Sequence, residues 1–156
     1  MAQSHELDLV TGYNYQNSDA GKGLRSNLNG WYASLQYDLN DTIAITAEID
    51  NYYGALRNQY LNQQNYVAGP QFTFRSSTAK LRPFIFIEVG DQRSSGMGNV
   101  THSFDLQIGG GVELQLQDRI SLQFTPGQYN LAFESGNPTH SYSANVGIVW
   151  TLWKQK

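Results

Sequence analysis

Every second side chain is apolar along most of this chain, and no stretch shows the spacing of an amphipathic helix. In residues 43–53, for example, Ile45 and Ile49 lie on the apolar parity. Thr46 and Glu48 lie on the other parity. Since successive side chains of a β-strand point to opposite faces of a sheet, a period of two residues predicts strands. Each strand is expected to have one apolar and one polar face.

About eight such runs can be drawn between residues 6 and 153, with short tails at residues 1–5 and 154–156. The polar connectors between the runs alternate in length. In an up-and-down meander, this alternation places all long connectors at one end of the sheet and all short turns at the other. The long connectors are residues 17–27, 55–65, 93–101 and 134–139, and the short turns are residues 40–42, 76–80 and 117–119.

The seventh run, residues 120–133, contains Pro126 and Gly127. Proline cannot donate to a ladder, and glycine inside a strand often marks an irregularity. The pair therefore predicts a bulge or a shift of parity within this strand.

Length and composition favour one domain and argue against several classes of protein. Eight strands of about ten residues, with their turns, use nearly all of the 156 residues. No apolar stretch approaches the roughly 18 residues of a transmembrane helix. A net charge of -3, with ten Lys and Arg, argues against a nucleic-acid partner, and the lack of Cys excludes thiolate metal sites. We interpret Met1-Ala2-Gln3-Ser4 as a start residue followed by the beginning of a mature sequence. We therefore expect that no export signal is present.

Three features predict that the apolar parity faces outward into lipid. It is almost free of charge, Asp91 at a strand end being the exception. The polar parity combines Gly, Gln and carboxylates without Lys, which suits a cramped barrel interior better than a surface in water. Aromatic residues gather near the ends of the runs, as at the headgroup level of membrane barrels. We assign Tyr13, Tyr15, Trp31, Tyr37, Tyr53 and Trp150 to a lipid-facing aromatic girdle.

Short segments along the whole chain resemble the small OmpA/OmpX-like outer-membrane β-barrels, in particular single-domain porin-like proteins of Gram-negative bacteria. The segments are residues 29–31, 66–74, 82–84, 109–112 and 142–148. The resemblance implies an all-β, eight-stranded antiparallel up-and-down transmembrane β-barrel in the bacterial outer membrane. It has short periplasmic turns and four long external loops.

The resemblance also implies insertion by the barrel assembly machinery, which recognises the last strand and its terminal aromatic residue. Trp150 and Trp153 are available for this recognition. The tail Lys154-Gln155-Lys156 departs from the usual aromatic final residue.

The polar parity predicts a network inside the barrel. An eight-stranded barrel leaves no open channel, so its interior polar groups must bond to one another or to water. The lumen polar network is assigned to Asp8, Asp38, Glu48, Arg75, Arg82, Glu88 and Glu113, and all of these except Glu88 are expected near the short-turn end. The loop-side carboxylates without an obvious cation, Asp50, Glu88 and Asp105, are interpreted as an acidic vestibule with shifted titration or a weakly bound cation.

No catalytic residue, metal site or cofactor is predicted. His102 and His140 begin loop-side strand ends near Ser141 and Ser143, but the spacing is not that of outer-membrane lipid hydrolases, and no supporting carboxylate is identifiable. We therefore expect a monomeric, non-enzymatic membrane protein with a structural, surface-interaction or minor solute-passage role. The Asn/Gln/Tyr-rich residues 57–65 suit hydrogen bonding to surfaces or glycans. The alternatives are a soluble lipocalin-like carrier with an apolar interior, and an outer-membrane lipid-modifying enzyme.

Overall fold

The chain closes into a single β-barrel. A computed structural model describes residues 5–19, 23–56, 59–75, 78–96, 98–134 and 137–155. Each strand pairs antiparallel with its neighbours in sequence, and β8 pairs with β1, which confirms the predicted eight-stranded barrel. The strands are β1 (Glu6–Asp19), β2 (Arg25–Asp38), β3 (Ile43–Leu56), β4 (Gln59–Thr73), β5 (Leu81–Gly96), β6 (Asn99–Gln117), β7 (Ile120–Glu134) and β8 (Asn137–Lys154).

Within these ranges, no helix is long and apolar enough to cross a membrane.

The two faces of each strand are divided as the alternation predicts, with the apolar parity outside. On β3, Ile49 is 43% exposed and its neighbour Asp50 is 0% exposed. On β2, Leu35 is exposed and Ser34 is buried. The barrel therefore has a polar interior and an apolar outer surface, the inverse of a soluble barrel that encloses a greasy ligand.

The connectors at the end away from the termini are shorter than the sequence predicts. β3 and β4 remain paired from Gly54 opposite Leu61 to Leu56 opposite Gln59, and β5 and β6 remain paired as far as Gly96 opposite Asn99. The assignment of residues 55–65 and 93–101 to long loops is therefore wrong. Polar residues occupy both faces of these hairpin extensions, so alternation does not mark the strands there.

The other two long connectors are shortened in the same way. β1 runs to Asp19, β2 begins at Arg25 and β8 begins at Asn137. The rest of the predicted loops, residues 20–22, 57–58, 97 and 135–136, lies outside the described ranges, as do residues 76–77 and most of the predicted tails, residues 1–4 and 156.

The predicted irregularity in the seventh strand is confirmed. The register between β7 and β8 shifts between Thr125 and Gln128, and both of these side chains are buried in the interior. Pro126 and Gly127 form the bulge that lets the interior parity change from odd to even residues.

The interior also holds aromatic rings that sequence reasoning did not place there. Tyr32 and Phe86 are buried on the polar parity. A Cβ added at Gly12 would lie 2.8 Å from Tyr32 Cε1, and one added at Gly109 would lie 2.7 Å from Phe86 Cζ. These glycines provide the space in which the rings pack.

We predict that Gly109→Ala lowers the free energy of unfolding by about 1–3 kcal/mol, because the new methyl group forces the Phe86 ring from its place. Gly127→Ala is the matched control, since a Cβ at this position meets no atom within 4 Å. Urea unfolding in detergent micelles measures both variants. Equal stabilities of the two variants would show that Phe86 is not packed against Gly109.

Candidate functional site

At the short-turn end, the interior contains two pairs of opposite charge. Arg75 Nη2 is hydrogen-bonded to Asp38 Oδ2. Arg82 Nη1 lies 3.5 Å from Glu113 Oε1, and Arg82 Nη2 donates to Gln115 Oε1 at 2.8 Å. The arginines therefore neutralise carboxylates that the strands bury at this end of the barrel.

Two further carboxylates surround these pairs. Asp8 is buried and bonds to Thr151, and its electrostatic neighbours are Asp38 and Glu113. Glu6, also buried, pairs with Lys154 Nζ at 2.7 Å. This end thus brings together most of the predicted lumen network.

The middle of the barrel contains a separate group of carboxylates. The side chains of Glu48 and Asp50 are hydrogen-bonded to each other. Thr46 Oγ1 donates to Glu88 Oε1. Gln107 Nε2 donates to Asp105 Oδ2 at 2.8 Å and to Asp50 Oδ2 at 3.5 Å. We call Glu48, Asp50, Glu88 and Asp105 the central carboxylates; no Lys, Arg or His forms a salt bridge with them in the described part of the chain.

The structure therefore divides the predicted lumen network into two groups. Asp8, Asp38, Arg75, Arg82 and Glu113 lie together at the short-turn end. Glu48 was expected among them, but it belongs with Glu88 and Asp50 in the middle. Asp38 lies opposite Ala44 on β3. Glu48 is the second inward-facing residue after Ala44 along β3, so it lies farther from the short-turn end than Asp38 does.

The residues assigned to an acidic vestibule are enclosed. Asp50 and Asp105 are 0% exposed and Glu88 is 3% exposed. Tyr52 and Leu28, nearer the loop end of their strands, are also fully buried. These carboxylates therefore lie in a closed interior rather than at an open mouth.

A chain of amides, which the sequence analysis did not assign, fills the interior on the loop side. Gln128 Nε2 donates to Gln107 Oε1 at 2.6 Å and to Asn130 Oδ1 at 2.9 Å. Asn130 Nδ2 donates to Gln16 Oε1 at 2.9 Å and to Ser143 Oγ at 2.7 Å. Asn and Gln on the polar parity were the available sequence signal, but their partners lie on strands distant in the sequence.

All six residues of the predicted girdle are exposed on the outer surface, namely Tyr13, Tyr15, Trp31, Tyr37, Tyr53 and Trp150. Tyr37 and Trp150 lie toward the short-turn end, opposite Leu7 and Leu9 of β1, and the other four lie toward the loop end. On β2, the six residue-to-residue steps from Trp31 to Tyr37 span about 20 Å. Apolar bands of outer-membrane barrels are about 25 Å tall.

The histidines lie on the outer surface. His102 Nδ1 is 2.8 Å from Asp91 Oδ2, which supplies the carboxylate partner that the sequence analysis did not find. Ser103, the next residue, is buried in the interior. His140 bonds to the Tyr129 hydroxyl. Among the described residues, no group of three or more His, Cys, Asp or Glu side chains could hold a metal ion.

The closed eight-stranded fold with its apolar exterior is similar to those of small outer-membrane β-barrels of known structure. Neisserial surface protein A has a similar structure, with a TM-score of 0.82 at 11% identity over 97% of this chain and 100% of that protein. The attachment invasion locus protein Ail of Yersinia pestis matches with a TM-score of 0.60 at 13% identity, over 96% and 100% of the two chains. The N-terminal barrel domain of Pseudomonas aeruginosa OprF matches with a TM-score of 0.61 at 14% identity, over 95% and 100%.

These likenesses are of fold. No protein-family model matches the sequence, and no curated protein matches it.

We predict that Arg75→Met lowers the free energy of unfolding by about 2–4 kcal/mol, because Asp38 is left buried without its cation. The Asp38 side chain is 2% exposed and that of Arg75 is 20% exposed, so the loss falls below that of a fully buried pair. Arg119→Met, which removes an exposed cation at the same end, is the control. Urea unfolding in micelles should show partial recovery when Asp38→Asn is added; additive losses would contradict the pairing.

Proposed function

We propose that the protein spans the bacterial outer membrane as a sealed, non-enzymatic barrel with a structural and surface-contact role. The observation that supports this proposal is an apolar belt around a closed barrel with a polar interior. Exposed apolar side chains of this belt occur on strands all around the barrel: Leu35, Ile45, Ile49, Ile85, Ile87, Ile108, Leu122 and Ile148. Soluble monomers rarely expose continuous apolar patches of this extent, whereas a lipid bilayer solvates them.

The lipocalin-like alternative is contradicted by the interior. A carrier of apolar ligands requires a greasy cavity, but Gln36, Gln71, Gln107, Asn14 and Asn65 are buried inside this barrel. The interior cavity lined by Gln36 and Gln71 has a volume of about 20 Å³, which is too small for such a ligand.

The same packing favours a structural role over solute passage. The side chains of Gln107, Gln128 and Asp50 meet across the barrel through hydrogen bonds. A solute would have to break this layer of buried bonds, each of which leaves an unsatisfied polar group when lost. We therefore assign the resting barrel to a closed state.

In the described part of the chain, the placement of the serines near His140 argues against the lipid-modifying alternative. His140 lies on the outer surface, while Ser141 and Ser143 are buried on the interior parity. In the described part of the chain, the hydrogen bond found for the His102 ring joins it to Asp91 and not to a serine. A nucleophile must be within hydrogen-bond reach of its base, so we assign no catalytic role to these residues.

Surface contact is proposed for the loop end. Ail is, by its name, an attachment invasion locus protein, and it has also been solved with the heparin analogue sucrose octasulfate. In this chain, the hairpins that extend beyond the girdle present Tyr60 and Arg93 outside the belt, with Arg93 Nη1 donating to Gln64 Oε1 at 3.1 Å. Asn62 Nδ2 of β4 donates to Asn51 Oδ1 and to the Tyr52 carbonyl oxygen of β3, so side-chain bonds hold the two strands of this hairpin together.

We also propose that the chain is monomeric and is inserted by the barrel assembly machinery. β8 ends with Trp150, Leu152 and Trp153 exposed on the outside, where a partner that pairs with the last strand can contact them. The proposed partners are thus the lipid bilayer and the assembly machinery.

The bilayer proposal is tested by comparing Ile87→Arg with Leu39→Arg. Ile87 lies in the middle of the belt and Leu39 follows the end of β2, and both are exposed. We expect Ile87→Arg to cost about 2–4 kcal/mol and Leu39→Arg about 0–1 kcal/mol, because the cost of a cation depends on its depth in the bilayer. Reversible unfolding from lipid vesicles measures both. A barrel that remains monomeric in water without detergent, with equal costs for the two variants, would contradict the proposal.

The closed state is tested by conductance in planar lipid bilayers. We expect the inserted wild-type protein to show no stable conductance level. Gln107→Ala with Gln128→Ala removes the amides that cross the interior and is expected to produce conducting events. A steady open conductance of the wild-type protein would instead favour solute passage.

A further inference from the structure

One enclosed cavity in the middle of the barrel is not accounted for by the proposed function. Its volume is about 20 Å³, and its lining includes Glu48, Glu88, Tyr32, Gln123 and Asn145. This volume accommodates a single species of about the size of a water molecule. The cavity lies between the central carboxylates and the amides of Gln36 and Gln71, which also line it.

Two buried atoms of the lining residues have no hydrogen-bond partner within the described ranges. They are Glu88 Oε2 and Asn145 Oδ1. Glu88 is 3% exposed and Asn145 is 5% exposed. Asn145 Oδ1 is an acceptor, and so is Glu88 Oε2 when the carboxyl is ionised, so an occupant that satisfies both is a cation or a hydrogen-bond donor.

The hydrogen bonds around Asn145 fix the direction of its amide. Asn145 Nδ2 donates to Gln128 Oε1 at 3.1 Å. The Gln128 amide is fixed in turn, because its Nε2 donates to Gln107 Oε1 at 2.6 Å and to Asn130 Oδ1 at 2.9 Å. A reversed Asn145 amide would set two acceptors against each other. Its Oδ1 therefore remains the atom left for the cavity.

Charge distinguishes a cation from a neutral occupant. Glu48 and Glu88 both line the cavity, and no Lys, Arg or His is among the described residues that line it. The interior arginines are engaged elsewhere, Arg75 with Asp38 and Arg82 with Glu113. Of the two carboxylates that line the cavity, Glu88 is the one with a buried oxygen that lacks a partner. An ionised carboxylate buried there needs a compensating positive charge, whereas a neutral occupant leaves Glu88 to take up a proton.

We propose that this cavity binds one monovalent inorganic cation, of the class of K⁺ or Na⁺, between Glu88 Oε2 and Asn145 Oδ1. The volume excludes organic cations. It also excludes Mg²⁺ with the several water molecules that this ion retains. The bound cation links the central carboxylates to β8. Because it binds the folded barrel and not the unfolded chain, it stabilises the fold by mass action.

The experiment is thermal unfolding of the refolded full chain in detergent micelles, in KCl, NaCl or choline chloride at equal ionic strength. The unfolding midpoint of the wild-type protein is expected to be higher in KCl or NaCl than in choline chloride. At concentrations above the dissociation constant, each tenfold increase in the concentration of the ion that binds should raise the unfolding midpoint by about 3–5 °C. Equal midpoints in all three salts at every concentration would overturn the proposal.

Glu88→Gln is expected to abolish the difference between the alkali and choline salts, and the exposed Asp118→Asn is expected to retain it. A salt difference that persists in Glu88→Gln places the ion elsewhere and overturns the assignment.

A direct measurement on the wild-type protein does not depend on the folding of any variant. Crystals grown in RbCl should show an anomalous peak between Glu88 Oε2 and Asn145 Oδ1. Density for a water molecule without anomalous signal would identify a neutral occupant and reject the cation.

Discussion

The pairing of β1 with β8 is the constraint on which the rest of the structure depends. It continues from Glu6 opposite Lys154 to Asn17 opposite Tyr142, so the sheet has no free edge. In a lipid environment every backbone N–H and C=O must be bonded within the protein, and a closed ladder meets that requirement. Side chains reinforce the seam at both ends: Lys154 pairs with Glu6 at 2.7 Å, and Arg25 reaches across β1 to the carbonyl oxygen of His140 at 3.2 Å.

Closure with eight strands also fixes the width of the interior, and the polar parity is composed to fill that width. Where Tyr32 crosses the barrel, its neighbours Gly12 and Gly147 leave space for the ring. Elsewhere, the amide of Gln107 reaches across the interior to Asp50 of β3 and also bonds to Gln128 on the adjacent strand β7. The interior is therefore a packed polar core, in which each buried group depends on partners from several strands.

Charge in this core is distributed unevenly. Arginines neutralise carboxylates at the short-turn end, as Arg75 does for Asp38. The central carboxylates are held by amides and a hydroxyl, as in the bond from Asn14 Nδ2 to Asp50 Oδ1 at 3.1 Å. The short-turn end is thus stabilised by ion pairs, whereas the middle is held by hydrogen bonds from neutral side chains. This difference is the reason that the proposed cation site lies in the middle.

Much of the fold could be predicted from local pattern. The alternation around Ile45 and Ile49 identified the strands and their outer face, and Pro126-Gly127 identified the bulge. The hairpin extensions were missed because polar side chains occupy the outer face beyond the belt, so the sequence does not alternate there. Asn62 Nδ2, for example, donates to Asn51 Oδ1 at 2.7 Å.

The interior was harder to predict than the strands. Alternation shows that Glu48 points inward, but not which side chains it meets, since that depends on the stagger of strands around the barrel. Glu48 was therefore placed with the arginines, although its partner is Asp50. Tyr32 and Phe86 were missed for a similar reason: the glycines that accommodate them were visible in the sequence, but the rings opposite them depend on register.

The central claim is that lipid contacts the apolar parity alone. Its most direct test is NMR of deuterated, methyl-labelled protein in nanodiscs of protonated lipid. The methyl groups of Ile45, Ile49, Ile87 and Ile108 should show nuclear Overhauser effects to lipid acyl chains, and those of Val10, Val67 and Val149 should show none. Acyl-chain contacts from the three valines, or their absence from the isoleucines, would contradict the account.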